Sequence, residues 1–479
     1  MFVEFLEKKE SRKLRLLRYL EEQPAMLAIK DTIMSELGLS TFLLNKTLEE
    51  LSEDFKQLGL CTRISINEDY RSVQLEESSR IDANVLENLY IRRSMGFSMV
   101  STILFGRFDS VEKYANDNFI SYPVVYKKLK VYRKELGKLG ITVNREFLIE
   151  GCEQSIRKYF LWLFSAVYED DYSYYPASVL KAAEELCQII FRYIKQTIPL
   201  SSRRDLKHFI SLSLLRMQQG FFLEKTDENK LLRDFESYDI FVSLDQWFTS
   251  KNYRFTEEQK NVEVSELMFF LVALDTFPKS WLSDVVTSDL IKEMNQAFIK
   301  GVSREFSVSA AEKQRLNEEC NLVHYQALNF SFEVNRMLKE YDVAYFLEVF
   351  PEFVDFSKKF ISNQKNNTII WELREVLFLK YLLILINILS LKDSLPPIYI
   401  YVDFSYGRLY NELIQKEIKK INDLNIIFDT HVTRRTNLIL SDRNFQTSVS
   451  AEKIIWISPP RVTDWSHFNE KILEIRKRT

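Results

Sequence analysis

Turn-forming residues are scarce in this chain: 479 residues contain only 10 glycines and 10 prolines, beside 36 phenylalanines and 23 tyrosines. So few positions suited to tight turns count against an all-β protein and against a glycine-rich fibre. With 46% hydrophobic and 28% charged residues, the chain can bury cores and lacks the composition of a disordered segment. A mostly α-helical protein is expected, and a prior of ~150 residues per domain makes it multidomain.

The 65 basic and 68 acidic residues leave a formal charge of −3, so any nucleic-acid surface has to be local. Cys61, Cys152, Cys187 and Cys320 lie far apart with no CxxC pair, which suits thiols in a reducing compartment better than disulfides or zinc. Histidines are too sparse for metal-ligand spacing, and neither a metal nor another cofactor is expected. The opening MFVEFLEKKESRK has no apolar h-region, so no signal peptide is expected. Val376 to Leu391 is very apolar but shorter than the ~20 residues a bilayer needs, and it carries Lys380 and Asn387. It reads as a buried helix of a cytoplasmic protein without a membrane partner.

Helical spacing organises the first 150 residues. A helix is expected over residues 12–22 and another over Ile29 to Leu37, broken by Gly38-Leu39-Ser40, with Ser40 as N-cap of the next. There Leu44, Leu48, Leu51, Phe55 and Leu58 form one apolar stripe. Ile64 and Ile66, then Val73 and Leu75, alternate as in two short strands around a turn. That order is the order of a winged helix-turn-helix. Glu49, Glu50, Glu53 and Asp54 leave only the start of the long helix, Thr41, Asn45 and Lys46, to face DNA.

Helices are then expected over Asp82 to Arg92, Phe97 to Phe105 and Asp109 to Asp117, with Asp109 as a cap. Ser121 can cap the helix that follows, Tyr122 to Leu139, where Pro123 is tolerated in the first turn. Val125, Leu129, Tyr132, Leu136 and Leu139 make its apolar stripe. At about 100° per residue, Lys127, Lys130, Lys134 and Lys138 fall opposite, flanked by Lys128 and Arg133. Ser121 to Arg145 holds seven basic residues and one acid, Glu135, the pattern a duplex backbone selects through counterion release. A merely solvated lysine face is the competing reading.

From Gly151 to about Leu395 the periodicity is helical, halved by FPKSWLSD near Pro278 to Asp284. Each half holds one histidine, His208 (Leu212 and Leu215 on its face) and His324 (Leu328 one turn on). Each is read either as a satisfied core residue or as a phosphoacceptor, a neutral imidazole being a good nucleophile near pH 7. After Pro396-Pro397 the period changes. Strands are expected at Ile398 to Val402, Asn425 to Phe428, Asn437 to Leu440 and Lys453 to Ile457, with helices at Gly407 to Asn422 and Trp465 to Arg476, a small α/β domain.

In this order of parts the chain resembles the Mga/AtxA family of virulence-gene regulators from Gram-positive bacteria. LIEGCEQSIRKYFLWLF (Leu148 to Phe164) is similar to that family's opening of the first phosphotransferase-system regulation domain (PRD), and HFISLSLLRMQQG (His208 to Gly220) to its histidine-bearing helix. DSVEKYANDNFISYPVVYKKLKVYRKEL resembles the family's second DNA reader. The resemblance implies a winged helix-turn-helix over residues 1–78, a second helix-turn-helix over 79–150, all-α PRD bundles over 151–282 and 283–394, and an enzyme IIB-like α/β domain over 395–479. It implies a non-enzymatic DNA-binding transcriptional regulator, typically an activator of virulence or metabolic genes. Double-stranded promoter DNA, the phosphocarrier HPr acting on His208 and His324, and a second copy in a homodimer or higher oligomer would be its partners.

Two departures stand out. PRDs generally carry two phosphorylatable histidines each, yet each half here offers one, and Ser265-Glu-Leu-Met-Phe-Phe270 has none. Many enzyme IIB domains carry phosphate on a cysteine after the first strand. The loop here is Asp403-Phe-Ser405-Tyr-Gly407, with no cysteine beyond Cys320, so thiolate transfer is impossible in this domain. His431 and His467 read as surface or capping residues, and the domain as a docking or dimerisation module. The alternatives are a phosphotransferase-system phosphocarrier and a PRD-type RNA antiterminator. The latter would open with a small β-rich domain, whereas this chain opens with helices.

Overall fold

A computed structural model describes residues 5–59, 62–67, 71–76, 83–194, 198–224, 238–251, 253–276, 288–329, 346–347, 350–365, 367–390, 396–421, 425–444, 449–456, 459–460 and 462–478. It divides into two compact units, Met1–Lys225 with Phe235–Phe270, and Thr226–Asp234 with Leu271–Thr479. Cys61 and the proposed divider at 278–284 lie outside the described residues.

The first unit begins with α1 (Lys8–Glu21), β1 (Leu27–Ile29), α2 (Lys30–Leu37), α3 (Thr41–Gln57), β2 (Arg63–Ile66) and β3 (Ser72–Glu76). Gly38, at φ +65°, ends α2 in the left-handed region, and Ser40 Oγ accepts the Leu43 amide at 3.3 Å to cap α3. Leu44, Leu48, Leu51 and Phe55 pack with Leu14, Leu17 and Leu20 of α1 in one core, while Leu58 is only partly buried. Each such side chain contributes about 1.5–3 kcal/mol of apolar burial before the entropy of ordering it is counted. The three strands form an antiparallel sheet ordered β1-β3-β2, with Ala28 opposite Val73 and Ile64 opposite Leu75. Strand β1 escapes a reading of the sequence because three residues are too few to show alternation; its pairing with β3 defines it.

Next come α4 (Ala83–Arg93), α5 (Met95–Leu104), α6 (Val111–Asp117), α7 (Tyr122–Gly137), and a hairpin of β4 (Thr142–Val143) and β5 (Ile149–Glu150). Two capping expectations are corrected. Ser110, not Asp109, caps α6 by accepting the Lys113 amide at 3.0 Å, and Asp109 instead pairs with the Lys113 ammonium. Ser121 holds the N-cap position of α7 without a side-chain bond to the helix. Leu139 also leaves the apolar stripe: α7 has ended, and the side chain is exposed.

The unit continues with α8 (Glu153–Val167), α9 (Ala177–Tyr193), α10 (Leu200–Gln218), α11 (Asp239–Ser250) and α12 (Glu257–Ala273), whose residues to Phe270 belong here. A buried charge cluster holds them together. Arg157 donates Nη1 to Glu263 at 2.6 Å, Nη2 to Glu263 at 2.8 Å and Nε to Glu153 at 2.9 Å. Arg216 donates Nη2 to the other oxygen of Glu153 at 2.7 Å. Burial works against the charge on Arg157, but the two carboxylates hold it protonated. Glu266, buried beside Gln154, has its carboxyl pushed up by the loss of water.

The second unit contains α13 (Asp289–Glu305), α14 (Ala310–Asn329), α15 (Pro351–Asn363), α16 (Thr368–Glu372) and α17 (Arg374–Ile388). The apolar run is α17, and its Lys380 donates to Gln326 Oε1 at 3.1 Å. Among the described residues no helix is long and apolar enough to cross a membrane. The chain then forms β6 (Ile398–Asp403), α18 (Arg408–Ile421), β7 (Ile426–Asp429), β8 (Leu438–Ser441), β9 (Glu452–Ile455) and α19 (Val462–Arg478). The sheet is parallel throughout, ordered β7-β6-β8-β9. Ile398, Ile400, Leu438 and Leu440 belong to the same apolar cluster as Leu377, Leu382 and Leu385 of α17.

Candidate nucleic-acid interface

Helix α7 is fixed by its buried face, Val125, Leu129, Tyr132 and Leu136. Tyr132 stacks on Phe5 at 5.1 Å between ring centres and lies against Gly96 of α5, where no side chain would fit. The turn before it is a helix end of Schellman type: Ile120 N–H donates to Ala115 O at 2.9 Å and Phe119 N–H to Asn116 O at 3.2 Å, with Phe119 at φ +56°. The outer face of α7 is therefore rigidly presented.

The basic residues near α7 divide into two groups, and of the pairings that separate them only Lys138 with Glu135 follows from helical spacing. Lys127, Lys130 and Lys134 are exposed and make no ion pair among the described residues. Lys128 pairs with Glu7 at 3.5 Å, Lys138 pairs with Glu135, and Arg133 donates to the Asn144 carbonyl at 2.9 Å. On the first reader, Thr41, Asn45 and Lys46 are exposed at the start of α3. Two of the acids on that helix are neutralised from α1, Glu50 by Arg12 at 3.0 Å and Asp54 by Lys13. Their charge is directed inward, away from the exposed start of the helix.

The two histidines occupy very different ground from these lysines: both are 0% exposed. His208 Nε2 lies 2.7 Å from the Glu169 carbonyl, which can only accept, so Nε2 carries the proton and Nδ1 accepts from the Tyr174 hydroxyl at 3.0 Å. Burial lowers its pKa to about 4. His324 takes the opposite tautomer, donating Nδ1 to Asn295 Oδ1 at 2.5 Å and accepting from the Tyr381 hydroxyl at Nε2, 2.8 Å away. Burial lowers it to about 3. Both imidazoles are neutral, with both nitrogens occupied.

None of these partners was apparent from spacing, although the tyrosine-rich run Tyr168 to Tyr175 is a visible signal in hindsight. That run reaches toward the second reader. Asp171 pairs with Arg92 of α4, Glu169 Oε1 accepts from Asn88 at 3.3 Å, and Tyr168 meets Phe97 of α5 at 5.2 Å. At the C-cap of α10, Gln219 Nε2 donates to the Leu104 carbonyl at 2.8 Å. Elsewhere, His431 and His467 are exposed, and Ser405 in the loop after β6 bonds its amide to Asp442 at 3.0 Å. Among the described residues no group of His, Cys, Asp or Glu is arranged to hold a metal.

A short helix, a tight turn and a second helix with a free basic face make the class plain: a helix-turn-helix domain of the DNA-binding kind. Residues 79–164 match the family model of the Mga helix-turn-helix domain. The match takes in α4 to α7, the β4–β5 hairpin and most of α8, and it supports a DNA-binding transcriptional regulator. No curated protein matches the chain.

Proposed function

We infer that this protein is a stand-alone transcriptional regulator that docks α7 on duplex DNA, with the start of α3 as a second contact. The observation that carries the reading is the trio Lys127, Lys130 and Lys134, exposed and free of ion pairs among the described residues, on a helix inside the segment that matches the Mga domain. Unpaired lysines on a fixed helix can each displace a counterion from the phosphate backbone. In this reading residues 1–78 are a winged helix-turn-helix, residues 151–282 and 283–394 are PRDs, and residues 395–479 form an enzyme IIB-like docking domain without transfer chemistry. The active species is a homodimer or larger assembly that controls virulence or metabolic promoters.

His208 and His324 enter as the regulatory positions addressed by HPr. With both ring nitrogens engaged and buried, phosphate reaches His208 only when the segment bearing Glu169 and Tyr174 lifts. That segment also holds Asn88 and Arg92 of the reader, so lifting it would loosen α4. A two-state element touched by both sites is the physical requirement for coupling.

The deciding experiment is a salt-titrated anisotropy measurement of full-length protein on duplex DNA. Replacing Lys127, Lys130 and Lys134 with Ala should reduce the log–log salt slope by about 0.9 per lost phosphate contact, across sequences. An unchanged slope would remove α7 from the DNA surface. Preference for structured RNA over every duplex would favour the antiterminator instead. Incubation with enzyme I, HPr and phosphoenolpyruvate, followed by intact-mass analysis, tests the histidines; absence of acid-labile phosphate would remove that arm alone.

A further inference from the structure

Within the first unit, four aromatic side chains among the described residues are at least half exposed: Phe42 at 75%, Phe119 at 99%, and Tyr122 and Tyr126 at 51% each. All four stand where a helix-turn-helix meets its second helix. Phe42 is the second residue of α3, Tyr122 the first of α7, and Phe119 sits in the turn between α6 and α7. Tyr122 and Tyr126 stack at 6.1 Å with planes 10° apart, and Tyr126 is one helical turn before Lys130, as Phe42 is before Lys46. Water exposure of a phenyl ring is unfavourable, and Phe119 also occupies a left-handed conformation that glycine would adopt without strain. Two successive helix-turn-helix motifs of this unit thus hold bare aromatics beside exposed lysines at the same point.

We propose that Phe119, Tyr122 and Tyr126, and independently Phe42, form the apolar part of the DNA contact and cover thymine methyl groups in the major groove. This rests on the DNA-binding reading above. The only apolar group a base pair presents in that groove is the thymine C5-methyl, and the turn and first helical residues of a recognition helix lie closest to the bases. The lysines supply the charge complementarity that brings a duplex, rather than another protein, to this patch. The aromatics then contribute the salt-independent share of affinity, and the lysines the salt-dependent share.

The test uses full-length protein and two probes, a 30-bp alternating A·T duplex and the same duplex with uracil in place of every thymine (lengths chosen as about three helical turns). Wild type should bind the thymine duplex more tightly, by about fourfold for each methyl covered. The F119A/Y122A/Y126A variant should lose about tenfold in affinity at every salt concentration with an unchanged slope, and its thymine preference should shrink. Phe119→Gly separates binding from folding, because it should raise the melting temperature while lowering affinity. Equal binding of the two duplexes by wild type, or wild-type affinity in the triple variant, would overturn the proposal while leaving the lysine result intact. A variant that changes oligomeric state in sedimentation but not affinity would reassign the patch to contact between copies. If wild type binds no duplex at any salt concentration, the DNA-binding reading fails and this one with it.

Discussion

Gly96→Ala is expected to destabilise the helix pair that presents the basic face, against the usual effect of such a change. A Cβ at Gly96 would lie 1.6 Å from the Tyr132 hydroxyl oxygen, 2.4 Å from Cζ and 2.8 Å from Cε2. Tyr132 is 2% exposed and stacked on Phe5, so its ring has no free space into which to withdraw. A retreat of about 2 Å would restore van der Waals separation, an overpacking that costs about 3 kcal/mol at the upper end of the usual range. Alanine's better helix propensity returns about 1 kcal/mol, which leaves a net loss of ~2 kcal/mol. In a Tyr132→Leu background the clash is removed, and the same substitution should become stabilising by ~1 kcal/mol. Hydrogen exchange of the α7 amides reads the local opening energy without assuming that the whole chain unfolds in two states. Stabilisation by Gly96→Ala with Tyr132 in place would refute the close approach of α5 and α7. DNA affinity should fall in parallel with the loss of protection, since a displaced α7 carries its lysines with it.

Acid should destabilise both units through their buried histidines. A histidine at about 6.5 when unfolded and at about 4 (His208) or about 3 (His324) when folded stays neutral only in the native state. The unfolded chain therefore binds more protons as pH falls below ~6.5, and stability present above that pH drains away toward the folded values, up to about 3 kcal/mol for His208 and about 5 kcal/mol for His324. Unfolding curves between pH 7 and 4 should show this slope, and His208→Gln should flatten it in the first unit; an unaltered slope would assign the acid sensitivity elsewhere. Glu263→Ala should cost about 3–5 kcal/mol, because the Arg157 guanidinium loses two of its hydrogen bonds and its principal counter-charge inside the unit. Glu263→Gln should cost less, and a change below ~1 kcal/mol in the α8 amide protection of the Ala variant would show the cluster to be solvated.

Periodicity carries the local half of this protein. The stripes Leu44, Leu48, Leu51, Phe55 and Val125, Leu129, Tyr132, Leu136 are buried as their spacing predicts, and the change of period after Pro397 marks a parallel sheet. These features are legible because a helix or strand face depends on residues a few positions apart. Strand β1 and the β4–β5 hairpin are not legible, since their existence depends on a partner strand rather than on their own two or three residues.

The site divides along the same line. The sequence by itself places basic residues on the outer face of α7, but which of them are free depends on Glu7, Glu135 and Asn144. It presents the carboxylates of α3 as a deterrent to DNA, while packing against α1 neutralises Glu50 and Asp54. It offers His208 and His324 as nucleophiles, and the tertiary structure buries each ring with both nitrogens bonded to groups from other elements. Except for Lys138 and Glu135, three residues apart, the charge state or reach of each side chain is set by neighbours more distant in the chain. Desolvation and pairing act through space, and only folding decides what that space contains.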